Sequence, residues 1–306
     1  MSYNNIYYMI KNTEIISFFG ASVTQQKNGY ATFLTKKLKC KPHIFGYGGC
    51  HLSDAGIIYI DEVLKIKPNI CFIDWFCTGY RTFNEDTIKY IDTIVYKFSK
   101  QNCKLIFLFY PRYDYNNYCL KWHTSIQQYL DKNNLFYIDL NKNLKYSPKI
   151  IRDTIHTTEF GSEIYSNLIY DDFISNYNKL KIPRNIKKTN LVNIHKLNIN
   201  KNFKKYMKLK GDCTIFTCTL IIGPNSGYID IGEKQFLLWD SYCHYNRRGC
   251  NLNYIRVEDN VEFKISQQKV DYSDCRRDYN FDNKIFELNI EEIYYIGNCL
   301  EFVDGF

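Results

Sequence analysis

Ile15-Ile16-Ser17-Phe18-Phe19-Gly20-Ala21-Ser22-Val23-Thr24 opens on an apolar run, closes it with a glycine, and sets a serine two residues further on. The run is too short for a helix and reads as a buried strand. Gly20 lets the chain turn sharply where the strand ends. At the carboxyl end of a parallel strand, side chains enter the crevice where open α/β sheets bind their ligands. Ser22 then begins the next segment, with its backbone N–H free to donate. Gly20 and Ser22 alone are also ordinary turn chemistry.

Further along, apolar runs recur at 70–75, 105–110 and 135–140, and amphipathic stretches lie between them at 30–38, 55–65, 86–100 and 122–132. The run at 70–75 lacks polar alternation, as in a strand covered on both faces. Strands alternating with helices imply a parallel sheet with helices on both sides. A last helix is expected at about 159–177. Residues 1–180 are therefore expected to form a three-layer, flavodoxin-like α/β domain. Residues 181–205 are rich in Lys and Asn, carry Pro183, and read as a linker. Beyond it come short runs of Ile, Phe, Tyr, Thr and Val at 214–222, 235–239, 254–257, 261–265, 285–288 and 293–296, separated by turn signals such as Gly223-Pro224-Asn225-Ser226-Gly227. Residues 206–306 are expected to form a smaller all-β, sandwich-like domain. A length of 306 residues suits two domains.

Arg152-Asp153-Thr154-Ile155-His156-Thr157-Thr158-Glu159-Phe160-Gly161 stands just ahead of the last helix. An Asp three residues before a His can accept the imidazole Nδ1–H, leaving Nε2 to take a proton from a serine hydroxyl. Thr158 is a plausible N-cap for the helix. A capped, hydrogen-bonded loop is the plainer alternative.

Taken together, Gly20-Ala21-Ser22 after the first strand and Asp153-x-x-His156 before the last helix resemble the SGNH, or GDSL-like, hydrolases over residues 12–178. The resemblance implies the SGNH fold for the first domain and a catalytic Ser22, His156 and Asp153, with no metal and no cofactor. It also implies an oxyanion hole built from the backbone N–H of Ser22, the N–H of Gly49 and a further side-chain donor. Phe45-Gly46-Tyr47-Gly48-Gly49-Cys50-His51-Leu52-Ser53-Asp54 has the Gly-x-x-Gly register that puts the donor at Gly49. A glycine there lets the backbone approach a developing oxyanion. Two positions depart from the family pattern. Ala21 replaces its Asp, and Thr78 replaces its oxyanion Asn. Either Thr78 donates with its shorter reach, or Arg81 does, or turnover is weak. Asp74 and Trp75 are unusual at the end of a buried strand, and Asp74 reads as pairing with a buried Arg or shaping the pocket, without a catalytic role.

The implied activity is that of a serine esterase or O-acyltransferase acting on a small acyl ester, acetyl first, of a carbohydrate. The alternative is a weak or inactive glycan-binding protein. The cluster Trp239-Asp240-Ser241-Tyr242-Cys243-His244-Tyr245-Asn246-Arg247-Arg248 suits glycan contact or simply a hydrogen-bonded loop. A net charge of +8 from 40 Lys and Arg against 32 Asp and Glu is scattered along the chain. It reads as a solvated basic surface, and nucleic acid is not an expected partner. The 12 cysteines lack the spacing of a zinc site. No stretch reads as a signal peptide or a membrane span, so a cytoplasmic location with reduced thiols is expected. Oligomeric state is left open.

Overall fold

A computed structural model of the chain describes residues 14–77, 83–112, 117–183, 191–277, 279–280 and 286–305. The chain divides into two compact units, Met1–Val192 and Asn193–Phe306.

The first unit begins with β1 (Ile16–Gly20), α1 (Ser22–Gln25), α2 (Tyr30–Leu38) and β2 (His43–Gly46). Next come α3 (Ala55–Ile58), α4 (Ile60–Leu64), β3 (Ile70–Asp74), α5 (Glu85–Lys100), β4 (Lys104–Phe109), α6 (Asn117–Lys132), β5 (Phe136–Asp139) and α7 (Glu159–Asn176). All strand pairs are parallel, in the order β2-β1-β3-β4-β5. Every residue of β1 and β3 is buried, as the missing polar alternation requires. The first strand pairs on one side with the second and on the other with the third. The strand order therefore reverses at β1, and the crevice for a ligand opens beyond its carboxyl end. Helix ends follow their sequence signals. The Asn84 side chain accepts from the Thr87 N–H at 2.9 Å to cap α5, whose first turn carries Glu85 and Asp86 and last turn Lys97 and Lys100. Thr158 caps α7 by accepting from the Gly161 N–H at 2.9 Å. The stretch expected as one helix at 55–65 is two short ones, broken at Tyr59 (φ −95°, ψ 4°).

The second unit is antiparallel and all-β: β6 (His195–Phe203), β7 (Tyr206–Ile222), β8 (Tyr228–Ile231), β9 (Lys234–Leu237), β10 (Arg247–Asn251), β11 (Ile255–Ile265) and β12 (Leu288–Gly305). The order is β6-β12-β7-β11-β8-β9, with β10 also on β7. Phe203, Met207, Leu209, Val257, Phe263, Ile290 and Ile293 are among the side chains in its core. Two expectations are corrected here. First, the segment read as a linker carries β6. Its Lys and Asn side chains face solvent, and only Ile199 and Phe203 are buried, because it is an edge strand with one neighbour. Second, the runs at 254–257 and 261–265 form one strand. Asp259 takes a left-handed φ of 66° and still pairs with Gly211, so Glu258-Asp259-Asn260 is not a turn. Among the described residues no helix is long and apolar enough to cross a membrane.

Candidate active site

Gly20 ends β1 against β3. A Cβ there would lie 2.6 Å from the Asp74 carbonyl oxygen and 2.6 Å from Thr24 Oγ1, so no larger residue fits. The Ala21 N–H donates to that same carbonyl at 3.1 Å. The chain then enters α1 with Ser22 as its first residue. First-turn N–H groups have no partner within a helix, which leaves the Ser22 N–H available to a ligand.

The loop after α1's neighbour β2 runs beside this turn. Tyr47 N–H donates to the Gly20 carbonyl at 2.9 Å, extending the parallel pairing by one step. A Cβ on Gly46 would meet the Gln25 backbone nitrogen at 2.4 Å, and one on Gly48 would lie 3.8 Å from Ser22 Cβ. Gly49 follows with φ 75°, a left-handed conformation that favours glycine, and it is exposed. The loop is fixed at its far end by Asp54, whose carboxylate accepts from the His51 N–H at 2.7 Å and from the Ala55 N–H. Burial pushes the Asp54 carboxyl up to about 7, against those two bonds, which lower it.

The third piece is the loop before α7. Asp153 Oδ1 accepts from the Ile155 N–H at 3.0 Å and the His156 N–H at 2.9 Å. His156 Nδ1 lies 3.1 Å from Oδ1 and 3.0 Å from Oδ2. Nε2 lies 2.7 Å from Ser22 Oγ. An ionised carboxylate only accepts, so Nδ1 carries the proton and Nε2 is the acceptor for the serine O–H. Burial raises the Asp153 pKa, but the Ile155 and His156 N–H bonds and the imidazole outweigh it and hold the carboxyl below its ordinary value. All three side chains are half-buried, so the Ser22 hydroxyl is hydrogen-bonded and still reachable from solvent.

The fold recurs in solved structures. A two-domain esterase active on acetylated mannans, solved alone and with mannopentaose, matches at a TM-score of 0.63 and 12% identity, over 95% of this chain and 93% to 94% of that one. An acetyl xylan esterase, AlAXEase, matches 51% of this chain and 98% of its own at 22% identity, with a TM-score of 0.42. No family profile matches the chain. No curated protein aligns with it. At such identities the likeness is one of fold. The first unit has the SGNH-hydrolase fold.

Within that SGNH fold, Thr78, expected as a side-chain donor, and Arg81, its substitute, lie outside the described residues. Behind this turn is a buried polar layer that the sequence announces only in part. Thr24 Oγ1 donates to Asp74 Oδ2 at 2.7 Å and lies 2.9 Å from the Tyr30 hydroxyl. Asp74 is fully buried. Burial pushes its carboxyl up to about 7, offset in part by Cys77 and Thr24. Asp74 thus pairs with a threonine rather than an arginine, and it holds the turn of α1 to the end of β3. The signal in the sequence was a lone acid at the end of an apolar strand. Its partner, 50 residues away, had none.

Proposed function

We propose that the chain is a serine-dependent esterase acting through an acyl-Ser22 intermediate on a small acyl ester, acetyl first, of a carbohydrate. The observation that carries this reading is the unbroken line from Ser22 Oγ to His156 Nε2 at 2.7 Å and from Nδ1 to the Asp153 carboxylate at 3.0 Å. As Ser22 Oγ forms a bond to the ester carbonyl carbon, its proton passes to Nε2. The carbonyl electron pair moves to oxygen, and the oxyanion is met by the N–H groups of Ser22 and Gly49. Asp153 keeps the imidazole in the right tautomer and stabilises its cation. The tetrahedral species collapses, the sugar oxygen leaves with the proton from Nε2, and acyl-Ser22 remains. Water then repeats the sequence and releases the carboxylic acid. An acceptor sugar hydroxyl in place of water would make the same site an O-acyltransferase.

The carbohydrate assignment draws on the esterase active on acetylated mannans, which shares both units of the architecture. A binding protein without turnover is the second reading, favoured by the threonine at position 78 where the family carries Asn. Losing one oxyanion donor costs roughly 100- to 1,000-fold in rate.

Fluorophosphonate labelling separates the two. The acyl-serine reading expects labelling of the wild type at Ser22, abolished in Ser22→Ala and strongly reduced in His156→Ala, with p-nitrophenyl acetate turnover following the same order. A folded wild type that neither labels nor turns over ester would leave the binding reading in place. Acetate release from acetylated mannan, with and without an added acceptor oligosaccharide, then distinguishes hydrolysis from transfer.

A further inference from the structure

The Ser22–His156 hydrogen bond joins two pieces that are each held separately. Ser22 is fixed by β1, α1 and the Thr24–Asp74 contact. His156 belongs to a loop closed on itself. The Arg152 N–H donates to the His156 carbonyl at 2.9 Å, Ile151 and Thr157 form a bridge, and the Thr158 N–H donates to the Ile150 carbonyl at 2.9 Å. The Asp153–His156 pair lies wholly inside this loop, three residues apart. The Ser22–His156 contact spans 134 residues. Nothing internal to either piece sets the distance between them.

Gln26 crosses that gap. It follows α1 directly, four residues after Ser22. Its Nε2 donates to the Thr157 carbonyl at 3.0 Å, and its Oε1 accepts from the Thr157 N–H and from Thr157 Oγ1, both at 3.3 Å. One planar amide thus pairs with both backbone groups of the residue next to His156, as a neighbouring strand would. Thr157 is itself buried, and its hydroxyl lies 2.6 Å from Ser162 Oγ in the first turn of α7. A second side-chain link nearby, Asn28 Nδ2 to Glu159 Oε2 at 3.3 Å, is solvent-exposed and correspondingly weak.

We infer that Gln26 is a positioning residue that sets the Ser22 Oγ–His156 Nε2 separation by gripping the main chain of Thr157. The chemistry of the side chain fits the task. An asparagine is one methylene shorter, a glutamate has no donor for the Thr157 carbonyl, and a methionine fills the space without either bond. The geometric role stands on these contacts, and its effect on rate rests on the acyl-serine reading. A displacement of about 1 Å between reacting groups costs on the order of 100-fold.

The test uses the full chain as wild type, Gln26→Met, Gln26→Glu and Ser22→Ala. The imidazole nitrogens of His156 are followed by 15N NMR, with fluorophosphonate labelling rate, kcat, KM and melting temperature in parallel. An accepted hydrogen bond marks the Nε2 resonance and the Asp153 contact marks Nδ1. In both Gln26 variants, Nε2 should move towards its position in Ser22→Ala while Nδ1 stays. Labelling rate and kcat should fall roughly 10- to 100-fold with KM little changed. The glutamate variant is nearly isosteric and guards against loss of the fold. Nε2 at its wild-type position in folded Gln26 variants would overturn the inference. If Nε2 moves but the wild type never labels, the positioning role stands and the acyl-serine reading falls. If the wild type labels and the variants match it, the acyl-serine reading stands and the positioning role falls.

Discussion

Replacing Asp153 with asparagine changes one atom, and its consequence follows from which oxygen does what. Oδ1 accepts from the backbone N–H groups of Ile155 and His156. A carboxamide keeps that oxygen as its carbonyl, so both loop bonds survive. The atom in the Oδ2 position becomes an NH2 group facing His156 Nδ1, 3.0 Å away in the native site. A donor there, on the nearer of the two oxygens (3.0 Å against 3.1 Å for Oδ1), favours Nδ1 as an acceptor, which moves the imidazole proton to Nε2. Nε2–H then faces Ser22 Oγ and can no longer take its proton. In a serine triad this tautomer reversal costs on the order of 10,000-fold in kcat, or about 5.5 kcal/mol of transition-state stabilisation. The assay is kcat and KM for p-nitrophenyl acetate, with labelling rate and melting temperature on the same preparations. The expected result is that activity and labelling collapse while KM and melting temperature move little. A folded Asp153→Asn protein retaining activity within tenfold of wild type would refute this account of the proton's path.

Two further outcomes test the frame around the site. Gly161→Ala would place a methyl 2.0 Å from the Ile150 carbonyl oxygen. The resulting backbone shift should cost about 1–3 kcal/mol or more, seen as a lower denaturation midpoint, and should lower activity through the adjoining His156 loop. An alanine that left both unchanged would contradict the close approach. Asp74 holds its proton in the fold up to about pH 7, whereas an unfolded chain releases it near its ordinary value of 3.8. Its contribution to stability is therefore full below about pH 4 and is lost as the pH rises to about 7, by at most about 4 kcal/mol. Asp74→Asn removes this loss, so the melting temperature of the variant relative to wild type should be higher at pH 8 than at pH 4.5. Asp54 titrates in the same direction and remains as a common background in both proteins. A difference independent of pH would show that Asp74 is ionised in the fold.

The meeting of Ser22, His156 and Asp153 was legible because most of its determinants are local. A glycine-terminated strand places Ser22 at a helix start, and an Asp three residues before a His can only fold back onto Nδ1 when the loop turns into a capped helix. Gly49, expected from its register as an oxyanion donor, lies in a loop with three glycines within four residues and takes the left-handed conformation there. The parallel sheet followed from strands without polar alternation, since only burial on both faces permits them.

What the sequence hid are features decided by neighbours distant along the chain. In β6 the pattern of Lys and Asn is that of a linker, and it becomes a strand because β12 offers a row of backbone partners that does not depend on side chains. The pause at Glu258-Asp259-Asn260 reads as a turn until Gly211 is opposite it. Gln26 is the sharpest case. A glutamine just past a short helix is an ordinary solvent-facing residue by every local rule. Only when Thr157 is brought against it does its amide find a complementary N–H and C=O. Side chains that activate a nucleophile must be chemically unusual, so they stand out in a sequence. Side chains that hold the activated parts in register need only the right reach and one donor with one acceptor, which several common residues supply. A reading by residue type therefore recovers the Ser22–His156–Asp153 line more readily than the contacts around it.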